Sequence, residues 1–153
     1  MQDASQSDVE PAAALLTKAQ FIAVGSYTAL AKHYPGVNEI DPTDWDFFAI
    51  SATVALALEL APDEPLLVQA IQQQVETWDP NGLEAVIDCI QFVRRTAAAA
   101  TDREESAQRE QIEVALGIWL VRNATNGAPL AHSLLAPAAG KFIATALSRA
   151  SPL

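Results

Sequence analysis

Apolar positions crowd most tightly between Asp41 and Pro62, which read DPTDWDFFAISATVALALELAP. Trp45, Phe48, Ala49, Ala52 and Leu56 fall on one helical face, and Phe47, Ile50, Val54, Ala57, Leu58 and Ala61 cover much of the rest. Only Ser51, Thr53 and Glu59 interrupt the apolar cover. A helix that is apolar all round is buried in protein or spans a membrane. A span needs about 20 apolar residues. This run is shorter, opens with three aspartates and carries Glu59, so it predicts a helix buried in protein. Its length and its alanines favour a helix over a buried strand. Asp41 can accept from the free N–H groups of the first turn, Pro42 suits the first helical position, and Asp44 and Asp46 add charge that the helix dipole favours. Pro62 stops the run by pushing the preceding residue out of helical geometry.

The same periodicity predicts helices on either side. Residues Met1 to Ser7 are expected to form a mobile tail, with Ser7 and Asp8 as caps of a helix running to about His33. Its apolar positions are Leu15, Leu16, Ala19, Ile22, Ala23, Leu30 and Tyr34, and Gly25 inside it suggests a close helix crossing. After Pro35-Gly36 and the central run, a third helix carries Leu66, Leu67, Ala70, Ile71, Val75 and Trp78 on one stripe. Asp79 to Gly82 reads as a turn. A fourth helix presents Leu83, Val86, Ile87, Ile90 and Val93 to the core, with Glu84, Asp88, Gln91, Arg94 and Arg95 outward. Thr101 with Glu104 matches a capping box, which breaks the chain near Ala100 and restarts a helix at Asp102. That fifth helix begins with a solvated face, where Glu105, Arg109 and Glu113 are spaced for ion pairs, and turns apolar from Val114 to Val121. Gly117 allows a close approach there, and Asn126-Gly127 closes the helix. A short helix from Leu130 to Ala136, ended or kinked by Pro137, precedes a last one from Ala138 to about Arg149, with Phe142, Ile143, Ala146 and Leu147 inward. No segment alternates as a strand would. The expected fold is all-α: a single-domain bundle over residues 8–150 with six or seven helices, centred on Asp41–Ala61 and Asp102–Ala124.

Composition narrows the function. A chain of 153 residues with 50% hydrophobic and 18% charged residues is long enough and apolar enough to build one core. Its net charge of −10 argues against nucleic acid and against anionic membranes as partners. One cysteine excludes an internal disulfide, and the polar, acidic start lacks the features of a secretory signal, so the cytoplasm is expected. The alanine-rich, lysine-poor usage suits a bacterial chain.

Candidate chemistry is sparse. Asn38, Glu39, Asp41, Asp44 and Asp46 supply oxygen ligands that a divalent cation could use, but they do not follow a calcium-loop spacing, and a helix dipole explains acids at this position. Asp41, Asp44 and Asp46 are therefore weak metal candidates. His33 and His132 have no zinc-type pattern around them. Cys89 beside Asp88 reads as a small buried hydrophobe, and Ser133 lacks a nucleophile context. No cofactor and no catalytic residue is assigned. The row Gln69, Gln72, Gln73 with Glu76 offers an amide face that an interface can cover at low desolvation cost. Trp45, Phe48 and Trp119 could line an apolar pocket between the two central helices. The leading expectation is a non-enzymatic cytosolic interaction module that self-associates as a homodimer. A small-molecule binding domain is the alternative, and an enzyme built from scattered carboxylates and histidines stands behind both.

Overall fold

The structure is a computed structural model and describes residues 2–60, 80–100, 102, 104–127 and 134–149. Among them are five α-helices, one 3-10 helix and no strand. The helices are α1 (Gln2–Ala31), α2 (Pro42–Leu60), α3 (Pro80–Ala99), α4 (Glu105–Ala124) and α5 (Leu135–Arg149), and the 3-10 helix is Pro35–Glu39. The all-α expectation holds, and the expected count of six or seven helices is not met among the described residues. One reason is Pro137. Proline breaks a helix by removing an i→i−4 donor and clashing with the carbonyl four residues back. Pro137 lies in the first turn of α5, where no such bond is needed, so Leu135 and Ala136 belong to the same helix as Ala138. The expected third helix, with its Trp78, falls outside the described residues.

α2 sits at the centre because it has no polar face to turn toward water. Ala49, Ser51, Ala52, Thr53, Val54, Ala55 and Leu56 are all buried. The two hydroxyls in that run donate back along the helix, Ser51 to the Phe47 carbonyl at 2.9 Å and Thr53 to the Ala49 carbonyl at 2.7 Å. Buried polar groups satisfied in this way cost little. α2 accordingly packs against α1, α3, α4 and α5. Its start follows the sequence signal. Asp41 Oδ1 accepts from the Thr43 N–H at 2.8 Å, the Asp41 carbonyl accepts from Trp45 N–H at 3.0 Å, and Pro42 takes the first helical position.

Among the described helices the most extensive pair is α4 with α5. It is built on two glycines. A Cβ on Gly117 would run into the Ala136 carbonyl oxygen and lie 2.8 Å from the Gly140 nitrogen. A Cβ on Gly140 would run into the Glu113 carbonyl oxygen and lie 2.9 Å from the Gly117 nitrogen. The two backbones therefore touch, and Leu116, Leu120 and Ile143 close the seam as fully buried side chains. Each such side chain contributes about 1.5–3 kcal/mol relative to exposure. α4 ends in a left-handed cap. Asn126 and Gly127 have φ of 56° and 85°, the Gly127 N–H donates to the Arg122 carbonyl at 2.7 Å, and the Asn126 N–H donates to the Asn123 carbonyl at 3.3 Å. That pairing is the one the Asn-Gly signal predicts.

Several local expectations change. α1 begins at Gln2, ahead of the Ser7–Asp8 signal. Gly25 marks no crossing among the described residues: none of them reaches within 4 Å of where its Cβ would be. Residues 80–82 form the first turn of α3 and not a loop, since proline fits the first helical position. The core stripe of α3 is Val86, Cys89 and Val93, and Ile87 is 39% exposed. The break after α3 is where the alanines end, but α4 starts at Glu105. Glu104 stands at its N-cap and makes no side-chain cap bond, so it is not the third helical residue that a capping box requires. At the head of α4, Arg109 and Glu105 approach to 3.8 Å with both side chains exposed, a pair of the kind that stabilises by a few tenths of a kcal/mol at most.

Candidate functional site

The acidic stretch before α2 is a built corner of the fold. Val37 and Ile40 are buried, and the Tyr27 hydroxyl of α1 donates to the Ile40 carbonyl at 2.9 Å. These contacts pin the 3-10 helix to α1 and leave Asn38, Glu39, Asp41 and Asp44 exposed. The Asp41 carboxylate is occupied as the cap of α2. Asp46 is partly buried, and that burial holds its carboxyl above the ordinary range. No group of three His, Cys, Asp or Glu side chains suited to a metal ion occurs among the described residues. His33 is exposed just past the end of α1. Gln69, Gln72, Gln73, Glu76, His132 and Ser133 lie outside the described residues.

Trp45 and Trp119 form two separate polar-tipped aromatic contacts. Trp45, fully buried, faces α1: its Nε1 donates to Ser26 Oγ at 2.9 Å, and Ser26 Oγ donates to the Ala23 carbonyl at 2.8 Å. Its ring meets Tyr27 edge-on at 6.1 Å between centroids. Phe48, three residues on, faces α4 and meets Trp119 edge-on at 5.7 Å. The Trp119 Nε1 donates to Asp88 Oδ2 of α3 at 2.7 Å. A buried indole needs a partner for its N–H, and each has one. Ser26 and Asp88 escaped the sequence reading in these roles. Ser26 was visible as the one polar residue on the inner stripe of α1, whereas Asp88 gave no local sign. Cys89 is buried, and burial first, with the neighbouring Asp88 charge second, pushes its thiol pKa far up. It is therefore inert packing.

An apolar groove of about 330 Å³ opens between α3 and α4, lined chiefly by Phe92, Thr96, Val114, Ala115 and Ile118. Arg95 reaches over the Phe92 ring, 6.0 Å from its centre. The groove lies at a different place from the pocket expected between the two central helices.

The outward face of α1 is the other unusual surface. Ala14, Thr17, Phe21, Val24, Gly25 and Thr28 are all exposed and recur at helical spacing on one side. Phe21 is 76% and Val24 57% exposed. Lys18 is the only charged residue between Glu10 and Lys32, and its Nζ is closed off from solvent with no hydrogen-bond partner among the described residues. The outward face therefore carries no charge in between, in a chain of net charge −10. The sequence contained a trace of this face: α1 holds more apolar residues than its inner stripe of Leu15, Leu16, Ala19, Ile22, Ala23 and Leu30 can use.

No described helix is long and apolar enough to cross a membrane. Comparison with protein-family models, with curated proteins and with solved structures finds no match for this chain.

Proposed function

We propose that the chain is a non-enzymatic interaction module of the cytoplasm, an adaptor, assembly factor or regulatory protein, that associates with a second copy of itself. The observation that carries this reading is the outward face of α1, with Phe21 and Val24 standing in water. Covering a side chain of this kind is worth about 1.5–3 kcal/mol, so the face favours a partner. The absence of charge on it removes the desolvation penalty that ordinary helix surfaces carry into an interface. Sedimentation equilibrium of the full chain tests the reading. A monomer–dimer equilibrium that shifts with protein concentration is expected, and a chain that stays monomeric at every accessible concentration overturns it.

The groove between α3 and α4 favours a second reading, a binding site for a small apolar molecule. Its volume of about 330 Å³ falls at the lower end of ligand-site sizes. Fluorescence of an environment-sensitive apolar dye would rise on binding there, and Val114→Trp, which fills the groove, would abolish the rise. An equal response from that variant retires the reading.

A further inference from the structure

We infer that the groove between α3 and α4 takes a small apolar molecule that carries a protonated amine. This rests on the second reading proposed above and names the class of ligand. Phe92, Val114, Ala115 and Ile118 give the groove apolar walls. Thr96 and Glu110 add polar atoms to the lining, and both present acceptors. The Thr96 hydroxyl donates its one proton to the Phe92 carbonyl at 3.2 Å, which leaves only its lone pairs for a ligand. The Glu110 carboxylate is exposed, accepts only, and has no ion pair or hydrogen bond among the described residues. Gln111 can turn either end of its amide toward a ligand, so it does not select. A ligand that donates satisfies this lining, and one that only accepts does not. An ammonium brings donors alone, with a charge opposite to that of Glu110.

The surrounding charges agree. Thr96 lies in the last turn of α3, where the helix end carries partial negative charge and no basic side chain is present. α4 starts with the acids Glu104 and Glu105, and Glu110 lies a full turn further on, where the positive end of that helix has faded. The arginines next to Thr96 and Glu110 in sequence have other contacts. Arg109 approaches Glu105 at 3.8 Å, and Arg95 stands over the Phe92 ring, 6.0 Å from its centre, outside the lining. Size favours a free molecule over a docked helix. One turn of helix fills about 400 Å³ at a diameter of about 10 Å and a pitch of about 5.4 Å, more than the groove's volume of about 330 Å³. Burial of the ligand's apolar body drives binding, and the head group sets which bodies are accepted.

The test is isothermal titration calorimetry of the full chain with octylammonium, octanol and octanoate, each below its aggregation concentration. The apolar body stays constant and the head group changes. Octylammonium is expected to bind about tenfold more tightly than octanol, and octanoate about tenfold more weakly. Glu110→Gln is expected to bring the octylammonium and octanol affinities to within about twofold of each other. Glu104→Gln removes the same charge outside the groove and is expected to leave their ratio as in wild type, which separates Glu110 from the net charge of −10. Val114→Trp fills the groove and is expected to abolish binding of all three, with circular dichroism to verify helicity. If octanol binds as tightly as octylammonium, the groove reading stands and this inference fails. Tightest binding by octanoate would assign selection to Arg95 and overturn the inference. So would a preference for octylammonium that survives Glu110→Gln or falls equally with Glu104→Gln, because the attraction would then be general. Binding that Val114→Trp leaves intact lies elsewhere on the molecule, and both the reading and the inference fail. Both fail as well if none of the three probes binds. Should Val114→Trp lose helicity, the two glutamate variants decide the matter alone.

Discussion

The seam between α4 and α5 and the outward face of α1 each contain glycine inside a helix, and they differ in what lies beyond the missing Cβ. At Gly117 and Gly140 the space is filled by the other helix's backbone, Ala136 and Glu113. At Gly25 no described residue fills it. In the first region the energy of folding has already been collected: two helices approach as closely as backbones can, and Leu116, Leu120 and Ile143 fill in around them. In the second region the same kind of surface, small residues flanking a large apolar one, faces water. A helix surface built for close approach is thus a core feature or an interface feature according to whether its own chain supplies the second helix.

The largest test of this contrast is Gly117→Ala. The added methyl has nowhere to go but into backbone, so the helices must separate along a seam that holds several fully buried side chains. The expected loss is about 3 kcal/mol or more, at or beyond the top of the usual overpacking range, against a gain in helix propensity of about 1 kcal/mol. Gly140→Ala is expected to match it. Urea unfolding measured on both variants would break the comparison if either proved as stable as wild type.

A second test compares the two sides of α1. Ser26 on the inner side accepts from the buried Trp45 indole, so Ser26→Ala leaves that N–H without a partner and is expected to cost about 1–3 kcal/mol. Thr28, two residues on, points outward and donates to the Val24 carbonyl of its own helix at 3.3 Å. Thr28→Ala is expected to stay within about 0.5 kcal/mol of wild type. Equal effects from the two would mean that the inner and outer faces are not distinct. Gly25→Ala, measured where the chain is monomeric, is expected to stabilise by about 0.5–1 kcal/mol, opposite in sign to Gly117→Ala.

That opposition was not legible in the sequence. Gly25 and Gly117 each sit in an apolar helical stretch, and both read as crossing points. What distinguishes them is the identity of the neighbouring helix, which no local pattern encodes. The legible parts were those fixed within a few residues: Asp41-Pro42 as the start of α2, Asn126-Gly127 as the end of α4, and the all-round apolar cover that puts α2 in the middle. Pro137 misled because its meaning depends on where the helix begins, and Leu134 and Leu135 do not announce that. Ile87 misled because a stripe through Cys89 and one through Ile87 differ by a small rotation, and the Asp88 bond to Trp119 settles which is buried. The uncharged face of α1 was present in the sequence as surplus hydrophobicity. Seeing it as a surface required knowing that no other described residue comes within 4 Å of the open side of Gly25.

The smallest expected effect lies at the border between the two faces of α1, at Lys18. Its Nζ is shut off from solvent and has no hydrogen-bond partner among the described residues, and burial lowers its pKa from the ordinary 10.5. The folded state therefore disfavours the charged form. In the pH interval just below 10.5 the unfolded chain holds the proton more tightly than the folded one, so stability rises with pH across that interval. Below it the penalty is present in full. Lys18→Met keeps the apolar stem and removes the ammonium, and it is expected to stabilise the chain by less than Gly25→Ala does. The gain over wild type should be constant at neutral pH and shrink to nothing as pH rises toward 10.5. Chemical unfolding of the two proteins across that range would show it. A difference that does not change with pH would mean that Lys18 contributes through its stem alone, and that the boundary between the inner and outer faces of α1 carries no buried charge.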